Sequence, residues 1–193
     1  MGGPPIAQRR RPGRFSRRVA AILLLLAAGP AMAAPRGLDA FILAYECPVA
    51  VRLAAIHERG DMHREDSRFL ILAVHKSGPA YVQCAFFDND RQMMCEAASG
   101  FYDTSPGTPS QVHLPAAKVA KLGKLGFSTD ASHGNFQRVM DTSNAEGLSA
   151  VARLLLSALY EAYDARIDDS IKVTAPLLPE SRPTLDRGLC SVD

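Results

Sequence analysis

The 193-residue chain lacks the signatures that most directly announce a reaction. It has no G-x-S-x-G elbow, no P-loop and no glycine-rich dinucleotide fingerprint, so the commonest hydrolase, nucleotide and hydride-transfer sites have no anchor in it. It has no internal repeat and no low-complexity tract. The apolar run at residues 19–28 falls short of the ~20 residues that a membrane-spanning helix requires and instead matches the ~7–15 of a signal-peptide core. Finally, the first eighteen residues contain no acid, against six arginines (Arg9, Arg10, Arg11, Arg14, Arg17 and Arg18).

That imbalance is the mark of a signal n-region. Behind the apolar run stand the breakers Gly29 and Pro30, and then Ala31-Met32-Ala33, with small residues at the two positions a signal peptidase reads. Residues 1–33 are therefore expected to be a removable signal peptide, cut before Ala34, and the working protein to be periplasmic or secreted. Ser16-Arg17-Arg18 leaves both the general secretory and the twin-arginine routes open. The nearest cysteine is Cys47, too far on for a lipid anchor. Without the leader, 16 of the 22 basic residues remain against all 20 acids, so the formal +2 of the whole chain becomes about −4. Nucleic acid and anionic membranes reward a basic patch that this remainder lacks, so neither is an expected partner. No stable membrane anchor is expected after cleavage.

The remaining ~160 residues suit one ordinary domain. Helical spacing over 37–59 (Leu38, Phe41, Ile42, Tyr45, Val49, Leu53, Ile56) is interrupted by Pro48, which predicts a helix ending near Glu46 and a second starting at Pro48. Three strand-like runs, 68–75, 80–88 and 91–100, follow as an antiparallel meander. A short amphipathic helix is expected over 114–125, with Val119, Leu122 and Leu125 on its stripe and Gly126 as C-cap. Two further short strands, 127–132 and 135–141, would follow, the second anchored by Phe136 and Val139. Ser143-Asn144-Ala145-Glu146 has capping-box spacing before a long helix striped by Leu148, Val151, Leu155, Leu159 and Tyr163. The fold class is thus α+β: an antiparallel meander sheet of three to five strands packed against an N-terminal helical segment, a short middle helix and a long C-terminal helix. The domain is expected over 34–166, with 167–193 an extended, proline-containing tail.

The Asn89-Asp90 turn sets the meander's register, because two residues between strands place positions summing to 179 opposite each other. Asp88 then faces Arg91, Gln83 faces Glu96, and Cys84 faces Cys95. Val82, Cys84, Phe86, Met93, Cys95 and Ala97 share an apolar face, which is the expected core side. Four cysteines in an exported chain favour pairing, with three connectivities open. Register selects Cys84 with Cys95, since opposed residues lie ~4.5–5.5 Å apart, within disulfide range. Cys47 is left to pair with Cys190.

Candidate chemistry is thin. His57, Asp61, His63 and Asp66 share a charged stretch, but the histidine spacing matches neither a helical pair nor a finger. Asp88-Asn89-Asp90 has the start of a calcium loop without its glycine or its glutamate. No metal or cofactor is expected. A cysteine nucleophile beside His57, His75 or His133 has no local signature, and pairing consumes the thiols. The opposite sheet face, with Tyr81, Gln83 and Glu96, has the hydrogen-bonding groups to hold an extended peptide or a partner protein.

Arg68-Phe69 opening a strand, Tyr81-Val82-Gln83-Cys84-Ala85 in the next, Glu96 in the third and Phe101-Tyr102 after it resemble the N-terminal domain of the TY-Chap group, in the YbjN-like and type III secretion chaperone superfamily. Leu122-Gly123 through Phe127, Asn135-Phe136-Gln137-Arg138 and the last helix are similar to it in order and spacing. The resemblance covers roughly 68–166 and implies an α+β domain that binds peptide or protein without catalysis, often as a homodimer. It implies a mostly intracellular chaperone, whereas this chain carries an export signal. The resulting expectation is an exported, non-catalytic peptide- or protein-binding domain using Tyr81, Gln83 and Glu96. The competing readings are a small enzyme or metal protein built on His57 and His63, or a structural accessory of an envelope assembly.

Overall fold

The structure, a computed structural model, describes residues 37–59, 68–75, 80–102, 114–175 and 184–185. All lie in the compact unit Pro35–Asp193. In chain order the elements are α1 (Leu38–Arg59), β1 (Phe69–Val74), β2 (Ala80–Phe87), β3 (Gln92–Ala97), α2 (Ala116–Lys124), β4 (Phe136–Asp141), α3 (Ala145–Tyr163) and β5 (Ile171–Thr174). The strands form one antiparallel sheet in the order β4-β3-β2-β1-β5. This is the expected α+β arrangement, with five strands, an N-terminal helix and a long C-terminal helix. Residues 1–36, 60–67, 76–79, 103–113, 176–183 and 186–193, including the expected signal peptide, lie outside the described residues.

Strand alternation makes the two layers. Leu70, Leu72, Val82, Cys84, Met93, Cys95 and Ala97 are fully buried on one face, the side on which α3 lies across β1 and β2 with α1 against it. The expected core side of the hairpin is therefore the observed one. Its register also holds: Gln83 pairs with Glu96, Cys84 with Cys95 and Phe87 with Gln92. Asn89 and Asp90 take the positive φ angles (53° and 66°) that a two-residue hairpin turn demands. Arg91 N–H closes the turn onto the Asp88 carbonyl at 3.2 Å.

Pro48 does not split α1, which runs unbroken through it. A proline inside a helix costs about 3 kcal/mol. The offset is visible in the buried stripe on both sides of it: Phe41, Tyr45, Val49, Leu53 and Ile56 are all at most 2% exposed. Breaking the helix at Pro48 would take half of that stripe off α3, and each fully buried large side chain contributes ~1.5–3 kcal/mol. With a mean hydropathy of 1.4, α1 is long and apolar enough to cross a membrane; here one of its faces is core.

Gly126 ends α2 as expected, at φ 83°. Gly126 N–H bonds the Gly123 carbonyl at 2.9 Å and Phe127 N–H bonds the Leu122 carbonyl at 3.1 Å, a Schellman pair that buries Phe127 behind it. Lys118 and Lys121 then reach Asp164 and Glu161 of the α3 end. Residues 127–132 form no strand, although Ser128 N–H does bond the Gln137 carbonyl of β4 at 2.8 Å. Within β4, Phe136 is buried but Val139 is 49% exposed. The two are three positions apart and so point to opposite faces.

The cap of α3 is Asn144 and not Ser143: the Asn144 side chain accepts from Gly147 N–H at 2.8 Å. Ser143 instead gives its backbone N–H and hydroxyl to the Asp141 carboxylate at 2.8 and 2.6 Å. Those bonds hold that carboxyl below its ordinary range. A β-carbon on Gly147 would lie 2.4 Å from the Asp141 carbonyl oxygen and 2.9 Å from Thr142 Cα, both backbone atoms. Gly147→Ala is expected to lower stability by up to about 2 kcal/mol, a ~1–3 kcal/mol overpacking cost reduced by ~1 kcal/mol of helix propensity. Thermal melting checks it, and a melting point at or above that of the parent would discard the close approach.

The region after Arg166 is not merely an extended tail. β5 pairs with β1 (Leu72 opposite Val173), Thr184 bridges to Lys172, and Leu185 is buried. The sheet thus continues past the boundary expected at 166. Ile171 and Val173 alternate with Lys172 and Thr174 in a four-residue strand, too short for periodicity to separate from loop.

Candidate binding face

The register of three strand pairs places the open face in rows. Ile71, Gln83, Glu96 and Gln137 form one row, and Phe69, Ala85, Met94 and Val139 the next. In the first, Gln83 Nε2 donates to Glu96 Oε2 at 2.6 Å and Gln137 Nε2 to Glu96 Oε1 at 2.9 Å. One carboxylate thus ties β2, β3 and β4 together, each oxygen taking one charge-assisted bond. Each glutamine keeps a carbonyl acceptor and a second N–H. The neighbouring apolar row ends in the exposed Val139, and Phe87, one row further, is 39% exposed.

Gln83 and Glu96 are therefore brought together as expected. Tyr81 has a different role. It is half-buried against the core, and its hydroxyl accepts from Asn135 Nδ2 at 3.0 Å. Asn135 Oδ1 accepts from Ser99 N–H at 3.2 Å, and the Ser99 hydroxyl donates to the Gly134 carbonyl at 2.8 Å. Below this group, Tyr163 donates to the Ala98 carbonyl at 2.6 Å, and burial, with Tyr81 nearby, pushes its phenol far above the usual range. Tyr81 thus pins the strand ends at the margin of the face. Gln137 is the member of this candidate face that sequence reasoning missed; its signal was the β3–β4 register, in which paired positions sum to 233.

Cys84 and Cys95 form a disulfide with Cα atoms 4.0 Å apart, wholly inside the core. Cys47 is disulfide-bonded too, and no described cysteine is free. Cys190, its expected partner, lies outside the described residues. His57 is exposed and tilted against Phe86, with ring centres 5.5 Å apart. Asp61, His63 and Asp66 lie outside the described residues. Among the described residues no group of three or more His, Cys, Asp or Glu side chains is placed to hold a metal ion.

Fold and site define a sheet-and-helix domain with one face of its antiparallel sheet left without a helix among the described residues, polar across one row and apolar across the next. Comparison with protein-family models, curated proteins and solved structures found no match to this chain.

Proposed function

We propose that this is an exported, non-catalytic domain that binds an extended peptide or protein segment on the open sheet face. The observation that carries the reading is the Gln83–Glu96–Gln137 ladder lying directly beside the Phe69–Ala85–Met94–Val139 row. A peptide strand laid over such a face meets amide-like donors and acceptors on one line and apolar side chains on the next, the two things an extended segment offers. The ladder holds its own side chains in place before a ligand arrives, which lowers the ordering cost of binding. Export is supported by the leader pattern of residues 1–33 and by a core disulfide, a bond that persists in oxidising compartments.

The test is titration of the isotopically labelled protein with a set of short extended peptides, followed by backbone amide shifts. Shifts are expected at Gln83, Met94, Glu96, Gln137 and Val139. Gln83→Ala with Glu96→Ala is expected to weaken binding at least tenfold, about 1.4 kcal/mol, while the domain still melts cooperatively. Unchanged affinity in that double variant would discard this face as the site.

A further inference from the structure

The charge on the open face is one-sided. Gln83 and Gln137 each spend an N–H on the Glu96 carboxylate, so the ladder's remaining groups are mainly acceptors: two amide carbonyls and the second lone pairs of the carboxylate oxygens. No cation among the described residues pairs with that carboxylate. Further along the same strands, in the row of Phe87, Gln92 and Asp141, stands a second carboxylate. Asp141 is exposed, and both bonds it accepts from Ser143 fall on Oδ1, which leaves Oδ2 unused by them. Between the two acidic rows lie Met94, half-buried, and Val139, exposed. Among the described strands the only cation with the parity of this face is Lys172, on β5, at the opposite edge of the sheet from β4. The β3–β4 half therefore reads acid, apolar, acid along the strand direction. Rows of a sheet recur every two residues, and the same-side residues of an extended ligand recur at the same interval of about 6.6–6.8 Å. A ligand lying along β3 and β4 meets these three rows with its residues i, i+2 and i+4, about 13 Å end to end. The order is the same read from either end.

We propose that this face selects an extended segment of the pattern cation-x-apolar-x-cation: a lysine or arginine on the Glu96 ladder, an apolar side chain on Met94 and Val139, and a second lysine or arginine on Asp141. The inference rests on the peptide-binding reading above and adds to it the chemistry of the occupant. Lysine brings three donors and arginine five, and neither brings an acceptor, which complements a ladder whose unused groups mostly accept. An acidic segment meets like charge at both end rows, so the face discriminates by charge as well as by shape. The apolar row fixes the spacing, because a segment whose charges fall at other intervals cannot place both cations and its apolar residue at once.

Three end-blocked pentapeptides test it at low salt, read by the backbone amide shifts of Met94, Glu96, Val139 and Asp141: Lys-Ser-Ile-Ser-Lys, its neutral counterpart Gln-Ser-Ile-Ser-Gln, and Lys-Lys-Ser-Ser-Ile, which has the composition of the first and the wrong spacing. The first is expected to bind about tenfold more tightly than either of the others, about threefold for each partly exposed charge pair. Glu96→Gln, which keeps the shape of the ladder residue, should cut the preference over the neutral peptide to about threefold, and Glu96→Gln with Asp141→Asn should bring the two peptides to near parity. Equal affinity of the first two peptides for the parent protein overturns charge selection, and if both shift the ladder amides the peptide-binding reading stands without it. Equal affinity of the first and third shows attraction without spacing and overturns the pattern. An unchanged preference in the double variant overturns the assignment to these two carboxylates. If none of the three shifts these amides while the wider peptide set does, the pattern alone falls; if that set also leaves them unmoved, the face falls with it.

Discussion

Asp90→Asn is expected to lower the unfolding free energy by about 3–5 kcal/mol, the usual cost of stripping one partner from a buried ion pair. Asp90 is 8% exposed and Arg68 3%, and their side chains form an ion pair inside the turn end of the sheet. The Arg68 guanidinium also sits over the Phe86 ring, 5.3 Å from its centre. Around the pair, Phe86 N–H bonds the Arg68 carbonyl at 2.9 Å and the Thr142 hydroxyl bonds the Asp90 carbonyl at 2.9 Å. The hairpin tip, the start of β1 and the β4–α3 junction thus meet at one charge pair. Asparagine keeps the shape of aspartate and tolerates its left-handed backbone, so the substitution removes little but charge. The same turn supplies a control: Asp88 pairs with Arg91 at 2.8 Å with both side chains well exposed, and Asp88→Asn is expected to cost under about 1 kcal/mol. Urea unfolding of the two variants makes the comparison. Equal losses at positions 88 and 90 would show that the buried pair contributes nothing beyond a surface pair.

The contrast between these two aspartates shows where sequence stops being legible. Both were readable as turn residues, because a two-residue connection dictates register and register dictates which side chains face each other. That one rule located the core face, the disulfide and the Gln83–Glu96 contact. It said nothing of which turn carboxylate turns inward, since that depends on Arg68 arriving from β1. The misses share this character. Pro48 is a local breaker overruled by a stripe packed against a helix a hundred residues later. Ser143 has cap chemistry, but Asp141 takes its hydroxyl and the cap passes to Asn144. Val139 has an anchor's composition and the wrong parity. β5 is too short to show a period and exists because β1 offers it an edge. Gln137 needed a third strand's register, which no tight turn supplied. The candidate face was therefore two-thirds visible as a pair and became a ladder only in three dimensions.

Replacing both Cys84 and Cys95 by alanine is expected to cost about 4–5 kcal/mol and lower the melting point by roughly 10 °C or more. The cross-link closes a short loop, with a sequence separation of 11, worth about 3 kcal/mol in the chain-entropy model. Both residues are wholly buried between the sheet and α3, so deleting two sulfur atoms also leaves methyl-sized voids at about 1 kcal/mol each. For a domain of this length each kcal/mol moves the midpoint by ~2–4 °C. The hairpin turn already holds these strands in register through backbone pairing, so the variant is expected to keep its fold and its sheet face and to lose only margin. That separates the bond's two possible meanings. If it were part of the binding chemistry, peptide affinity would fall with it; as a core staple it leaves affinity intact below the lowered midpoint. Calorimetry beside peptide titration distinguishes them, and an unchanged melting point in the double variant would show that the buried disulfide does not stabilise this core.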